Sequence, residues 1–171
     1  MEKVILYIAT SVDGFIADKT GSVDWLSSFT DPEDQCGYKA LLERVSTIIM
    51  GSRSYEQIVG FGEWAWKDKQ TYIFTSKIKT DVDSYITFVQ ESPKVFMNKL
   101  KSTKDIWLLG GAELAKSFAK EKLIDECIIT IVPVTLGEGI KLELPMEDFD
   151  LVSEKSPLPG IIQKVYLKRE E

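Results

Sequence analysis

Strand-like apolar runs alternate with helix-like runs along most of this chain, and that alternation constrains the fold more than any single motif. Val4 to Thr10, Thr47 to Gly51 and Thr71 to Thr75 read as strands, interleaved with helical patterns over Glu33 to Val45 and Ser54 to Val59. Ile106 to Leu109 is a further strand; Gly110-Gly111 closes it, and a helix follows from Ala112 to Phe118. The pattern predicts an α/β fold with a largely parallel sheet.

Local signals place the helix starts. Asp31, Pro32 and the acidic pair Glu33 and Asp34 read as N-cap, first helical position and first turn of the helix running to Val45. Ser92-Pro93 repeats the logic for a helix expected to carry Val95, Phe96 and Leu100 into a core. Toward the end the grammar changes: Asp148 to Lys155 and Ile161 to Leu167 alternate apolar and polar residues around Pro157-Leu158-Pro159-Gly160. This predicts an antiparallel hairpin on the edge of the sheet.

Composition narrows the function. A chain of 171 residues is expected to form one domain over residues 1–171 and to bury about 70% of its unfolded surface without disulfides or metal. The net charge, 21 basic against 27 acidic residues or −6, argues against a nucleic-acid partner. Histidine is absent, which excludes His-based triads and the usual zinc ligand sets, so no metal is expected. Cys36 and Cys127 stand alone and read as small buried hydrophobes. No membrane span is expected, since the longest apolar stretch, Cys127 to Leu136, is about half of the ~20 residues required. The N-terminal segment reads as a strand rather than a signal peptide, and the expected location is the cytoplasm.

The chemistry gathers at strand ends. After Ile106 to Leu109, two residues without Cβ let backbone N–H groups approach an anion, and the helix behind them adds a dipole term of roughly 0.3–1 kcal/mol. Gly51-Ser52-Arg53-Ser54 puts a glycine, a cation and two hydroxyls at another strand end, and Thr75-Ser76-Lys77 repeats the theme. In each case the competing reading is a tight turn with a solvated charge. Asp13-Gly14, after the first strand, reads either as a group orienting a ligand or as a plain Asp-Gly turn. Trp64-Ala65-Trp66 either caps a cleft or packs in a core or interface.

Ile8 to Ala17, Ile48 to Glu56, Tyr72 to Lys77, Leu109-Gly110-Gly111 and Val132 to Leu142 together resemble, in order and spacing, the dihydrofolate-reductase-like superfamily, and within it the RibD C-terminal reductase group. The resemblance implies a mixed, mostly parallel eight-stranded sheet flanked by helices, NADPH held across the carboxyl ends of the strands, and often a homodimer. Known members reduce dihydrofolate or the ribosylated aminopyrimidine of riboflavin synthesis. By that analogy Arg53, Ser54, Ser76 and Lys77 would surround the adenosine 2′-phosphate. Gly110, Gly111, Ala112 and the backbone of Glu113 would line the pyrophosphate, with Ala9, Gly51, Ser52, Thr75, Leu109 and Leu114 completing the cofactor site. Asp13, Gly14 and Gln35 would face the substrate; Gln35 stands where dihydrofolate reductases carry a carboxylate, which argues against that particular activity. Lys39 and Arg44 are candidates for a substrate phosphate. The alternative is a catalytically weak paralogue that binds a nucleotide or pterin as a sensor or partner.

Overall fold

Apolar residues fill both faces of the central strands, because helices cover the sheet on both sides. The computed structural model describes all 171 residues. In chain order the strands are β1 (Val4–Thr10), β2 (Phe15–Ala17), β3 (Val45–Gly51), β4 (Gln70–Phe74), β5 (Ile86–Val89), β6 (Asp105–Gly110), β7 (Glu126–Ile131), β8 (Ile140–Lys141), β9 (Phe149–Lys155) and β10 (Ile162–Lys168). The helices are α1 (Tyr38–Arg44), α2 (Ser52–Gly60), α3 (Pro93–Lys99) and α4 (Ala112–Lys120). No helix is long and apolar enough to cross a membrane.

Eight strands form one sheet in the order β5-β4-β3-β6-β1-β7-β10-β9, and β2 and β8 pair separately. From β5 to β7 every pairing is parallel; β10 then runs antiparallel to β7, and β9 antiparallel to β10. The expected eight-stranded, mostly parallel sheet with a C-terminal hairpin on its edge is therefore present. Pleating sorts the core in two. Val4, Leu6, Ile49 and Leu108 pack with Phe96 of α3 and Phe118 of α4, whereas Ile5, Ile48, Met50 and Trp107 pack with Leu41 of α1.

Two local expectations need correction. No helix starts at Glu33: Asp31 accepts the Gln35 and Cys36 amides, both at 2.8 Å, and closes a turn instead. Asp34 (φ 55°) and Gly37 (φ 82°) then adopt left-handed conformations that reverse the chain before α1. The Asp34 carboxylate accepts the amides of Tyr38 and Lys39, so capping chemistry is present but serves a helix that begins at Tyr38. In α3, Val95 is 45% exposed, whereas Phe96 is buried and Leu100, just past the helix, packs half-buried against the same core as expected. Ser92 does cap it, accepting the Val95 amide.

The tryptophan segment belongs to the core. Trp66 is buried, its ring centroid is 5.3 Å from those of both Trp64 and Trp107, and its Nε1 donates to the Tyr38 hydroxyl at 2.8 Å. Both cysteines are buried, as expected, and burial pushes the Cys127 thiol up to about 12.

Candidate functional site

The adjacent parallel strands β3 and β6 deliver two nine-residue helices, α2 and α4, to the same edge of the sheet. Gly51 and Gly111 are their N-caps, and no side chain caps either helix. The two starts adjoin: a Cβ built on Gly51 would lie 3.9 Å from the Gly110 carbonyl oxygen, and one on Gly111 would lie 3.7 Å from Ser54 Oγ. Neither position needs glycine for its backbone, with φ of −81° and −73° and only ordinary contacts around the added atom. Gly110 differs, because its φ of 115° is accessible mainly to glycine; its peptide bond to Gly111 is cis. The starts of two helices, neither capped by a side chain, therefore adjoin, an arrangement suited to an anion.

That space is part of a cleft of about 1370 Å³ across the carboxyl ends of the strands. Gly51 to Ser54, Glu56 to Ile58 and Phe74 line one end. Leu109, Gly111 to Leu114 and Ser117 line the middle. The rest of the lining comes from Ile8 and Ala9 of β1, Ile16 and Ala17 of β2, the loop residues Thr20, Gly21, Val23 and Leu26, and Ile140 of β8. Gln57 Nε2 donates to the Gly21 carbonyl at 3.0 Å, so this loop lies against α2. Arg53 is the one cationic residue lining the cleft; it is exposed and engaged in no ion pair.

Of the residues named from sequence, Ala9, Gly51, Ser52, Arg53, Ser54, Leu109, Gly111, Ala112, Glu113 and Leu114 line this cleft, and Gly110 is buried beside it. Thr75, Ser76 and Lys77 lie just past Phe74, outside the lining. Thr75 Oγ1 accepts the Lys77 amide at 3.1 Å, and the Ser76 carbonyl accepts Gln90 Nε2, which closes them into a turn. Gln35 is exposed and outside the cleft, donating to Glu33. Arg44 is held at the opposite edge by Glu126 at 2.8 Å and Asp105 at 3.2 Å, the first residues of β7 and β6. Lys39 is exposed on α1 and also outside the lining.

Asp13 and Gly14 also lie outside it, and the Asp13 carboxylate is committed elsewhere. It accepts from the Ser11 hydroxyl at 2.6 Å and from the Gly137 and Leu136 amides at 2.7 and 3.2 Å, clamping the β1–β2 turn to the loop before β8. These bonds, that from Ser11 foremost, lower its pKa from 3.8 to about 2. A lowered carboxyl stabilises while ionised, so the clamp is complete above pH 3.8 and is lost as pH falls through about 2. The Gly137 amide resonance is expected to titrate with a midpoint near 2. A midpoint at 3.8 would mean that the clamp does not form in solution.

The sequence reading missed Gln57 and Ser117, although each follows a named residue, Arg53 or Glu113, by four and so shares its helix face. It also missed Thr20, Gly21, Val23 and Leu26, which no local pattern marks, and Ile140, which lies within the Val132 to Leu142 motif but was given no role.

A family model described as the RibD C-terminal domain matches residues 2–152. The chain belongs to that family. Its resemblance to the RibD C-terminal group, read above from short motifs, is thereby confirmed. The protein YwjB of Bacillus subtilis (strain 168) is 43% identical over 143 residues, covering 82% of each chain. Among solved structures, a putative riboflavin biosynthesis protein from Shewanella sp. PV-4 superposes with a TM-score of 0.86 at 30% identity, over 98% of this chain and 99% of that one. Dihydrofolate reductase from Enterococcus faecalis, complexed with NADP(H), gives a TM-score of 0.69 at 14% identity over 98% and 97% of the two chains. The last likeness is one of fold. This RibD C-terminal domain protein thus has the family and the fold of reductases.

Proposed function

We propose that the cleft binds NADPH and that the protein is an NADPH-dependent reductase of a small heterocycle of the pyrimidine or pterin type. The observation that carries this reading is the pair of side-chain-free helix starts with Arg53 beside them. Gly51 and Gly111 leave room for the pyrophosphate against the first-turn amides of α2 and α4. Arg53, with the Ser52 and Ser54 hydroxyls, would hold the 2′-phosphate. Glu113 would contribute its amide, since its carboxylate repels the ligand. The cleft also exceeds the ~300–1,000 Å³ typical of a pocket for one ligand, which leaves room for an acceptor beside the cofactor.

When bound, NADPH supplies a hydride and leaves as NADP⁺; with one proton the acceptor gains two electrons and two hydrogens. No carboxylic acid of β1, β2 or β8 lines the cleft, where Glu56 and Glu113 are the only acids, and the walls serve to position the ring and limit solvent. The same lack of an acid favours a second reading, a binder with little turnover. NADPH oxidation across a heterocycle panel separates the two.

Arg53→Ala is expected to weaken NADPH by about tenfold to a hundredfold, the range for hydrogen bonds to charged groups, and to leave NADH unchanged. Titrations of both cofactors into both proteins check this. Equal losses for NADPH and NADH would remove Arg53 from the 2′-phosphate site.

A further inference from the structure

We infer that Gln57 is a positioning residue of the cofactor site, holding the Asp18–Ser22 turn in place as a wall beside the dinucleotide; this rests on the cofactor reading above. The turn is closed by its own bonds. The Asp18 carboxylate accepts from the Thr20 hydroxyl at 2.6 Å and from the Thr20 and Ser22 amides at 2.8 and 3.0 Å, and the Asp18 amide donates to the Ser22 carbonyl at 3.0 Å. Two polar links then join the turn to other elements. One is the Lys19–Glu138 ion pair, whose side chains are both 68% exposed and which therefore contributes little. The other is the half-buried bond from Gln57 Nε2 to the Gly21 carbonyl.

Strand order gives that bond its weight. In the sheet β6 lies between β1 and β3. The turn follows β2, which is tied to the end of β1 where the Ser11 amide donates to the Phe15 carbonyl at 2.8 Å. Gln57 lies on α2, which directly follows β3. The chain between these two anchors therefore passes the carboxyl end of β6, where Gly110-Gly111 and the start of α4 form the proposed pyrophosphate site. Gln57 also follows Arg53 by four and shares its helix face, so α2 presents the cation for the 2′-phosphate and, one turn later, the donor that holds the wall. The pyrophosphate is common to NADPH and NADH. Loss of the Gln57 donor therefore affects both cofactors alike, whereas loss of Arg53 affects NADPH alone.

Gln57→Met keeps the length of the side chain and removes the donor, and Asp18→Ala loosens the turn without touching α2. Each is expected to weaken NADPH and NADH by the same factor, about threefold to tenfold, the range for one hydrogen bond. The double variant is expected to lose no more than the larger single loss, because both changes act through one turn. Lys19→Ala is expected to leave both affinities unchanged. Fluorescence titrations of the four variants with both cofactors, beside thermal melts that establish folding, read these outcomes. Unchanged affinity in Gln57→Met, a loss confined to NADPH, additive losses in the double variant, or a loss in Lys19→Ala as large as that in Gln57→Met overturns the inference while the cofactor reading stands. A wild-type protein that binds neither cofactor removes the cofactor reading, and the inference with it.

Discussion

Gly111→Ala is expected to weaken NADPH by more than about tenfold while the protein stays folded. The added methyl meets nothing closer than Ser54 Oγ at 3.7 Å, and the φ of −73° suits alanine. It would, however, stand among the first-turn amides of α4, where the pyrophosphate oxygens must approach. The cost to the fold is that of a poorer N-cap, about 1 kcal/mol, or roughly 2–4 °C in Tm for a chain of this size. Fluorescence titration with NADPH beside a thermal melt checks both halves. Unchanged affinity would mean that this space does not hold the cofactor, and a collapse in Tm would mean that the glycine serves the fold.

The largest effect on stability is expected at Gly139, just before β8. A Cβ there would lie 2.3 Å from the Ala17 carbonyl oxygen and 3.3 Å from Asp18 Cα, with φ at +151°. Both obstacles are backbone, so no side chain can swing aside, and β2 must part from β8 where Ala17 pairs with Ile140. Gly139→Ala should cost about 3 kcal/mol, a Tm loss of roughly 6–12 °C. Gly137→Ala is the control, since its φ of +77° is strained but nothing lies within 4 Å of the added atom. That control should lose about 1–2 kcal/mol. Equal melting of the two variants would show that the small sheet gives way easily.

These contrasts also show what the sequence made legible. β1, β3, β4 and β6 were readable because helices cover both their faces, leaving apolar runs bounded by glycine or by turn residues. The helix start at Ala112 was equally readable, directly after a strand that ends in glycine, whereas α2 was read from Ser54 and begins two residues earlier, at Ser52. Asp31 and Asp34 were recognisable as capping residues, but which amide each would reach depended on Asp34 and Gly37 both turning left-handed, which their residue types allow without requiring. Asp13 shows the larger limit. Its neighbour Gly14 suggested a ligand-facing turn, yet its carboxylate is satisfied by amides more than a hundred positions away, at Leu136 and Gly137. The loop residues of the cleft, Thr20 to Leu26, were hidden for the same reason, since only tertiary structure brings them against α2.

The central claim is that this cleft holds NADPH, and the most direct measurement is a titration of the purified protein with NADPH and, in parallel, NADH. Quenching of tryptophan emission and energy transfer to the nicotinamide report binding; Trp25 lies between the lining residues Val23 and Leu26 and is well placed to respond. Saturation by NADPH is expected, with NADH binding at least about tenfold more weakly. Saturation by neither would contradict it.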